Sequence, residues 1–292
     1  MRAFYIRRIL RIWPLYFAML GFGYIFGLLR PEVAWGSHRL FAYLFLVGNI
    51  YTARHVLVAN PAIILWSISV EEQFYLLWPS IVRRGTQWLK ILSSLLIPLA
   101  YLWLGVLLRA GTSLNPGVWT NSVVQFQFFG IGSLLAVHLH GRNPTFRGLT
   151  RAALIGTGIG SCVLASTVFE VFGIGPVPMW KVMSGYGLVA VGCALLCVGV
   201  LGAPSAWFPR WLVFLGKISY GLYVFHFLAL RITNSAAIRL HRFAFISTIV
   251  KELQLPIALG ITILIACASY RYFETPFLRI KERFEFVKSR EV

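Results

Sequence analysis

The sequence contains no aspartate, and its acidic residues are nine glutamates among 292 residues. Charged residues of both signs make up only 12% of the chain, against about 25% in an average soluble domain. This scarcity excludes an ordinary soluble protein, and it also excludes a nucleic-acid-binding protein although the formal net charge is +18. Hydrophobic residues make up 58% of the chain and the mean hydropathy is +0.75, which indicates a polytopic membrane protein.

Cysteine is also scarce. The four cysteines all lie in apolar stretches: Cys162, Cys193, Cys197 and Cys267. Cys193 and Cys197 are one helical turn apart, but small sulfur side chains in apolar helices are typical of helix packing. We therefore expect no redox pair and no metal site.

Long apolar runs dominate what is present. A transmembrane helix needs about 20 mostly apolar residues. Runs that approach this length are 12–29, 62–83, 87–108, 118–139, 151–173, 182–202, 211–232 and 254–273. The sequence therefore predicts an all-α fold, a polytopic transmembrane bundle of about eight spans. No linker is long enough to separate a second domain, so residues 1–292 are expected to form a single integral membrane domain.

The stretch 40–58 decides the topology, because it is apolar but interrupted by polar residues. If it does not cross and the N-terminus is cytoplasmic, 18 of the 27 basic residues, with every dense basic cluster, lie on the inner side. We therefore expect both termini to be cytoplasmic. Segment 40–58 is then a re-entrant or interfacial piece on the outer side, where a cavity could open.

Two adjacent carboxylates, Glu71 and Glu72, occur near the start of an otherwise apolar run. Ionisable groups inside a span are costly and are candidates for function. Ser69 and Glu72 match a capping box, with Ser69 as the N-cap. Adjacent helical residues point about 100° apart, so Glu71 has no such local explanation. It either faces a polar cavity or forms a plain ion pair.

Polar residues recur at helical spacing in a later span. Ser219, Tyr223 and His226 are spaced i, i+4, i+7 and lie on one helix face. Their role is either a hydrogen-bonded contact between helices or catalysis. At the end of the last span, Glu274 is expected to pair with Arg271, and Pro276 to end the helix.

Basic residues cluster immediately before the first span. Arg7, Arg8 and Arg11 lie within about one helical turn. One interpretation is a positive-inside anchor against anionic lipid. The alternative is a clamp for the phosphates of a cytosolic cofactor, because arginine forks match phosphate oxygens.

Four segments, in this order, resemble the motifs of acyltransferase family 3, a family of membrane O-acyltransferases. They are residues 4–16 (family pattern F-Y-x-x-R-x-x-R-I-x-P-x-Y), 66–76 (W-S-L-x-x-E-x-x-F-Y-L), 215–226 (L-G-x-I-S-Y-x-x-Y-x-x-H) and 274–277 (E-x-P-F). Together the motifs extend across the whole chain. We expect the remaining matched residues to contact substrate or to be structural: Trp66, Ser67, Ser219, Tyr220, Tyr223, His226 and Glu274.

The resemblance implies transfer of an acyl group, usually acetyl, from cytosolic acyl-CoA to a hydroxyl of a cell-surface or lipid-linked glycan. It implies that Arg7, Arg8 and Arg11 hold the phosphates of acyl-CoA, and it makes Glu71 and Glu72 catalytic candidates, with Glu71 orienting or stabilising the reacting centre. It also implies a multi-pass protein of a bacterial inner membrane and no metal.

The chain departs from the family pattern at its N-terminus. The family has about ten spans. Two of them precede the first motif, and the first of these two carries an arginine and an intramembrane histidine treated as the catalytic base. This chain begins at Met1, next to that motif, so the histidine has no counterpart here. We therefore expect an N-terminally truncated or degenerate member. Other possibilities are a glycolipid or solute transporter, which would show internal repeats, and a non-catalytic partner subunit.

Overall fold

The computed structural model describes residues 1–55, 58–173, 177–239 and 252–284. Its α-helices are α1 (Arg2–Leu29), α2 (Ser37–Leu44), α3 (Gly48–Arg54), α4 (Trp66–Arg83), α5 (Thr86–Arg109), α6 (Ser122–Leu139), α7 (Gly148–Thr167), α8 (Met179–Val200), α9 (Arg210–Lys217), α10 (Ser219–Arg239), α11 (Gln254–Ser269) and α12 (Thr275–Glu282). Short 3-10 turns (Pro31–Val33, Pro61–Leu65 and Ser205–Trp207) and π turns (Leu114–Val118 and Tyr270–Glu274) separate some of them. The predicted all-α fold is confirmed.

Six helical stretches in the described ranges are long and apolar enough to cross a membrane. They are Arg2–Leu29, Thr86–Arg109, Ser122–Leu139, Gly148–Thr167, Met179–Val200 and Gln254–Glu282. A seventh span is possible if α9 and α10 cross together, but these helices are bent by 75° relative to each other. The predicted span over 211–232 therefore falls on two helices that meet at a bend.

Two of the eight predicted spans are not among these six, the bent pair α9 and α10 and the helix α4. It forms where the run 62–83 predicted a helix, over Trp66–Arg83. It carries Glu71, Glu72 and Arg83, and it is not apolar enough to be counted with the other six. Charged residues within a span raise its insertion cost, so α4 is set apart by composition and not by length.

The stretch 40–58 does not form one helix. Helix α2 ends at Leu44, Leu46 has a positive φ of 59°, and α3 covers Gly48–Arg54. A leucine rarely adopts this backbone conformation, so the two short helices are distinct. The interruption agrees with the prediction that the stretch is not a single span. Residues 56 and 57 lie outside the described part of the chain, as do the last basic residues of the predicted inner cluster, Lys288 and Arg290.

Two predicted helix ends are wrong. Helix α4 begins at Trp66 and Ser69 is fully buried inside it, so Ser69 is not the N-cap and the capping box with Glu72 does not form. Pro276 does not end a helix. It occupies the first turn of α12, where its missing N–H leaves no helical hydrogen bond unmade.

The chain divides into two compact units. The first unit comprises Met1–Leu40, Val58–Leu65 and Phe208–Val292. In it, Asn60 donates hydrogen bonds to the carbonyl oxygens of Gly23 (2.9 Å) and Val33 (3.1 Å). A Cβ at Gly23 would lie 2.5 Å from Cβ of Ala62. The segment around Asn60 therefore packs directly on the backbone of α1, which only glycine permits there.

The second unit comprises Phe41–Leu57 and Trp66–Trp207. Helices α7 and α8 approach closely because two glycines face each other. A Cβ at Gly158 would lie 3.0 Å from the carbonyl oxygen of Gly192, and one at Gly192 would lie 2.9 Å from that of Gly158. Small residues at such positions let transmembrane helices pack backbone to backbone.

Arg151, at the start of α7, is buried with only 3% of its surface exposed. Its Nη1 donates to the carbonyl oxygens of Gly199 (2.9 Å) and Leu201 (2.7 Å). Its Nη2 donates to those of Pro144 (2.7 Å) and Gly202 (2.8 Å). The guanidinium thus satisfies carbonyl groups at the end of α8, where a helix favours a cation.

Candidate functional site

A polar cavity of about 350 Å³ lies within the first unit. Helices α1, α9, α10 and α12 and the π turn before α12 contribute to its walls. We call it the basic cavity. Its lining residues are Arg11, Val213, Gly216, Lys217, Tyr220, Tyr270, Glu274, Leu278 and Lys281.

Positively charged side chains outnumber negatively charged ones in the lining of this cavity. Arg11, Lys217 and Lys281 contribute three positive charges, and the carboxylate of Glu274 contributes one negative charge. Glu274 is buried, with 7% of its surface exposed, and Ser269 Oγ donates a hydrogen bond of 2.8 Å to its Oε1. A buried carboxylate requires such donors and nearby cations. The cavity therefore keeps a net positive charge around a fixed anionic group.

The predicted Glu274–Arg271 ion pair is wrong. Glu274 accepts its hydrogen bond from Ser269, whereas the guanidinium of Arg271 lies over the ring of Tyr272, 5.6 Å from its centroid. The π turn Tyr270–Glu274 produces this arrangement, because its wider winding changes the direction in which side chains project. Glu274 consequently faces the basic cavity.

The bend between α9 and α10 positions two other lining residues. Lys217 is the last residue of α9, and Ile218 at the bend is buried, with 1% of its surface exposed. Tyr220 follows in the first turn of α10, and its hydroxyl donates a hydrogen bond of 2.8 Å to the carbonyl oxygen of Ile12 on α1. This bond ties α10 to α1 beside Arg11.

Gly221 allows α10 to approach the end of α11. A Cβ at this position would lie 3.2 Å from Cβ of Ala266 and 3.4 Å from Oε1 of Glu274. The first of these distances is shorter than most carbon–carbon contacts in packed interiors. Gly221, which lies within the segment of the third motif, therefore supports the wall that holds Glu274.

The three N-terminal arginines do not act as one cluster. Only Arg11 among them lines the basic cavity. Arg7 Nη1 donates a hydrogen bond of 2.8 Å to the carbonyl oxygen of Phe284, just beyond α12, and Arg8 is half-buried on α1. All three lie on α1 itself, which begins at Arg2 and not near residue 12 as predicted.

The other predicted residues of α10 lie outside this cavity. Tyr223 donates a hydrogen bond of 3.1 Å from its hydroxyl to the carbonyl oxygen of Ile64, which is the interhelix type of contact that the sequence left open. The Nδ1 of His226 donates to the carbonyl oxygen of Tyr223, within the same helix. Ser219 is exposed at the start of α10.

The carboxylate motif lies on α4 in the second unit. Glu71, Glu72 and Ser67 are half-buried, and the ring of Trp66 meets that of Trp119 edge-on at 6.3 Å between centroids. The structure thus brings Arg11, Tyr220 and Glu274 together from three of the motifs, and the remaining motif, residues 66–76, belongs to the second unit.

Sequence reasoning missed two cations of the basic cavity, Lys217 and Lys281, and the aromatic Tyr270. A signal for two of them, Tyr270 and Lys281, was present. Tyr270, Glu274, Leu278 and Lys281 are spaced i, i+4, i+8, i+11, the pattern of one helix face. The expectation that Pro276 ends the helix concealed this pattern. Lys217 depends on the bend at Ile218, which no local motif indicates.

A cavity of this kind is suited to an anionic ligand. Arginine and lysine side chains bind phosphate oxygens through charge-assisted hydrogen bonds. Within the described ranges, no group of three or more His, Cys, Asp or Glu side chains is placed to hold a metal ion.

A family model described as an acyltransferase domain matches residues 1–271. The chain is also similar to the O-acetyltransferase OatA of Staphylococcus aureus (strain NCTC 8325 / PS 47), with 26% identity over 304 residues. It is 24% identical over 303 residues to the peptidoglycan O-acetyltransferase OatA of Listeria monocytogenes.

The alignments cover 94% of this chain but 47% and 46% of those two proteins. The chain therefore spans about half the length of the curated relatives it matches. No solved structure matches the chain at a significant level.

Proposed function

The chain belongs to acyltransferase family 3, and from this premise we propose that it transfers an acyl group, in the first instance acetyl, from cytosolic acyl-CoA to a hydroxyl group of a glycan. The names of its relatives support an acetyl group and a peptidoglycan-like or other cell-surface glycan acceptor. The donor and the acceptor are both part of the proposal.

The basic cavity is the observation that carries this proposal. It gathers Arg11, Tyr220 and Glu274 from three separate motifs and adds Lys217 and Lys281. Three cations around one buried carboxylate fit the phosphate groups of acyl-CoA, because the net charge is positive and the arginine supplies a planar pair of donors. Glu274 acts as a fixed counter-charge that keeps the cations in place when no phosphate is bound.

The reaction needs an activated hydroxyl. The hydroxyl oxygen attacks the carbonyl carbon of the thioester, the carbon–sulfur bond breaks, and the thiolate leaves while a base takes up the hydroxyl proton. Acyl-CoA supplies the activated thioester. The proposed role of Glu71 is to orient or charge-stabilise the reacting groups, and Glu72 is the alternative carboxylate for this role.

The proposed orientation follows from the charges. Arg11 in the N-terminal half of α1, Lys217 at the end of α9 and Lys281 on α12 all line one cavity. Dense positive charge favours the cytoplasmic side, where acyl-CoA is available. The basic cavity would then open to the cytoplasm, and α1 would start there.

Binding of acetyl-CoA tests the cofactor part of the proposal. The full chain is purified in an uncharged detergent. The affinity for acetyl-CoA is measured by calorimetry for the wild type, for Arg11→Ala and Lys217→Ala, and for the double variant that carries both substitutions. We expect at least a tenfold loss of affinity in the double variant, since each charge-assisted phosphate contact contributes about 1.5–3 kcal/mol. Arg210→Ala is the matched control, because Arg210 is an exposed cation on the same helix α9 that does not line the cavity. Unchanged affinity in the double variant would rule out this cavity as the donor site.

The carboxylates of α4 are tested by activity. Transfer of radiolabelled acetyl from acetyl-CoA into the membrane glycan fraction is compared for Glu71→Gln and Glu72→Gln, with acetyl-CoA binding measured in parallel. We expect Glu71→Gln to lose most of the transfer while binding is kept. If only Glu72→Gln loses transfer, the roles of the two residues are reversed, and if neither does, this motif has no catalytic role.

A further inference from the structure

A second charged pocket lies within the first unit, at the other end of α1 and α10. Its volume is about 550 Å³. Phe26 and Arg30 line it from the end of α1, and Glu32 follows in the next turn. We call it the arginine pocket. The acyl transfer proposed above does not use it.

One face of α10 forms the opposite wall. Leu228, Arg231, Ile232, Ser235 and Arg239 line the pocket. Their spacing of i, i+3, i+4, i+7, i+11 places them on a single side of the helix. The wall therefore combines two branched aliphatic side chains with two guanidinium groups, and Phe26 extends the apolar part.

The position of this pocket relative to the membrane follows from the length of α1. The helix rises from Arg11 in the basic cavity to Arg30 at its C-terminal end over about 28 Å, close to the thickness of the hydrocarbon core. Since α1 is long and apolar enough to cross a membrane, a crossing α1 would place the two charged pockets at opposite faces. A pocket at such a face is level with the lipid head groups.

Arg231 strengthens this interpretation. It lies two turns before Arg239, about 12 Å from it along the axis and near the middle of α10, which would put it below the head groups in a crossing helix. A guanidinium at that depth is costly unless it faces a polar cavity or an anionic partner. Arg231 lines the arginine pocket and is half-buried, so the pocket is the place where its charge is accommodated.

The net charge of the pocket remains positive. Arg30 Nη1 and Glu32 Oε1 are 3.6 Å apart, but both side chains are more than half exposed, at 53% and 62%. An exposed pair of this kind is weak. Glu32 offsets one of three guanidinium charges, and Arg231 and Arg239 supply the excess.

We propose that the arginine pocket binds the phosphate head group of an anionic membrane lipid. Arg231 and Arg239 bind the phosphate oxygens, and the hydrocarbon chain lies along Phe26, Leu228 and Ile232. A small hydrated anion would gain nothing from this apolar wall, whereas a lipid phosphate at the interface uses both parts. This binding does not depend on the proposed acyl transfer.

Lipid titration tests the proposal. The purified full chain, in an uncharged detergent, is titrated with dioctanoyl phosphatidic acid, dioctanoyl phosphatidylcholine and inorganic phosphate, and binding is measured by native mass spectrometry with displacement assays. We expect phosphatidic acid to bind at least tenfold more tightly than phosphatidylcholine. We expect the double variant Arg231→Gln/Arg239→Gln to lower the affinity for phosphatidic acid at least tenfold.

Two control variants locate the lipid. Arg109→Gln removes an exposed arginine in the last turn of α5, and Lys217→Gln removes a cation of the basic cavity, so neither should change lipid affinity. If the double variant fails to fold, Arg239→Gln alone changes an exposed residue and should weaken binding about threefold by removing one of several charge contacts. Three outcomes would overturn the proposal. The first is equal binding of both lipids, and the second is loss of binding in Lys217→Gln but not in the arginine variants. The third is displacement of the lipid by inorganic phosphate at similar concentrations.

Discussion

Gln73 Nε2 donates a hydrogen bond of 2.8 Å to Oδ1 of Asn49, which is completely buried. Asn49 Nδ2 donates to Oγ of Ser122 (2.7 Å), and that hydroxyl donates to Oε1 of Gln73 (2.6 Å). The three side chains close a ring of hydrogen bonds that joins α3, α4 and α6 in the second unit. Buried polar networks that are fully satisfied fix one arrangement of the helices around them.

Replacing Gln73 should destabilise the protein through this ring. Gln73→Leu leaves Asn49 Oδ1 without its donor and the Ser122 hydroxyl without its acceptor, and each buried group left unsatisfied costs about 1–3 kcal/mol. We expect a clear fall of the thermal midpoint in detergent. Gln87→Leu makes the same replacement at an exposed position of α5 and should leave the midpoint almost unchanged. Equal midpoints for the two variants would show that the ring contributes nothing to stability.

Arg151→Lys should be strongly destabilising although it keeps the charge. One guanidinium serves four carbonyl oxygens in the buried site, and a lysine ammonium has only three donors at a single point. Since a hydrogen bond to a charged group contributes about 1.5–3 kcal/mol, we expect a loss of at least about 2 kcal/mol. The measurement is the midpoint of thermal unfolding. Arg147→Lys, at the exposed start of α7, is the control, and a similar loss there would contradict this explanation.

Ser269→Ala should weaken the site of Glu274. The hydroxyl of Ser269 donates to the buried carboxylate, so its removal leaves a charged group with less compensation, at a cost of about 1–3 kcal/mol. We expect a lower thermal midpoint and weaker acetyl-CoA binding. The comparison is Ser161→Ala, where an exposed hydroxyl bonds only the Thr157 carbonyl of its own helix, at 2.9 Å. No difference between the two serine variants would mean that the bond to Glu274 is energetically unimportant.

Gly221→Ala should disturb the packing of α10 against the end of α11. The added Cβ would lie 3.2 Å from Cβ of Ala266, so the helices must move apart, which costs about 1–3 kcal/mol in a packed interior. Gly260→Ala adds the same methyl group to α11 with nothing within 4 Å and should be neutral or slightly stabilising, as alanine favours the helix. Thermal midpoints of both variants check this prediction, and a neutral Gly221→Ala would contradict it.

The class of the protein was predictable from sequence alone. In lipid, backbone N–H and C=O groups must be satisfied within the segment that crosses. Apolar runs such as 87–108 therefore become helices whatever surrounds them, and this one forms as Thr86–Arg109. The resemblance to acyltransferase family 3 was equally local, because it rests on short motifs with fixed spacing, and the match over residues 1–271 confirms it.

The site depended on contacts that are distant in sequence. Arg11 and Glu274 line the same cavity although more than 260 residues separate them. Their meeting requires the bend at Ile218, the π turn before α12 and the close approach at Gly221. None of these has a strong local signal, since an isoleucine, a proline or a glycine is compatible with several backbone paths.

What the sequence by itself determined is therefore the kind of segment: which stretches are helical, which are apolar enough for the membrane, and which carry the family motifs. The tertiary structure decided which charges face one another. In the folded chain Arg7 binds a backbone carbonyl oxygen while Arg11 lines the basic cavity. Glu274 faces the cations of that cavity and not Arg271. Arg151 binds carbonyl oxygens at the end of α8. The physical reason is that backbone hydrogen bonding is local to a helix, whereas the energy of a buried charge depends on partners brought from other helices.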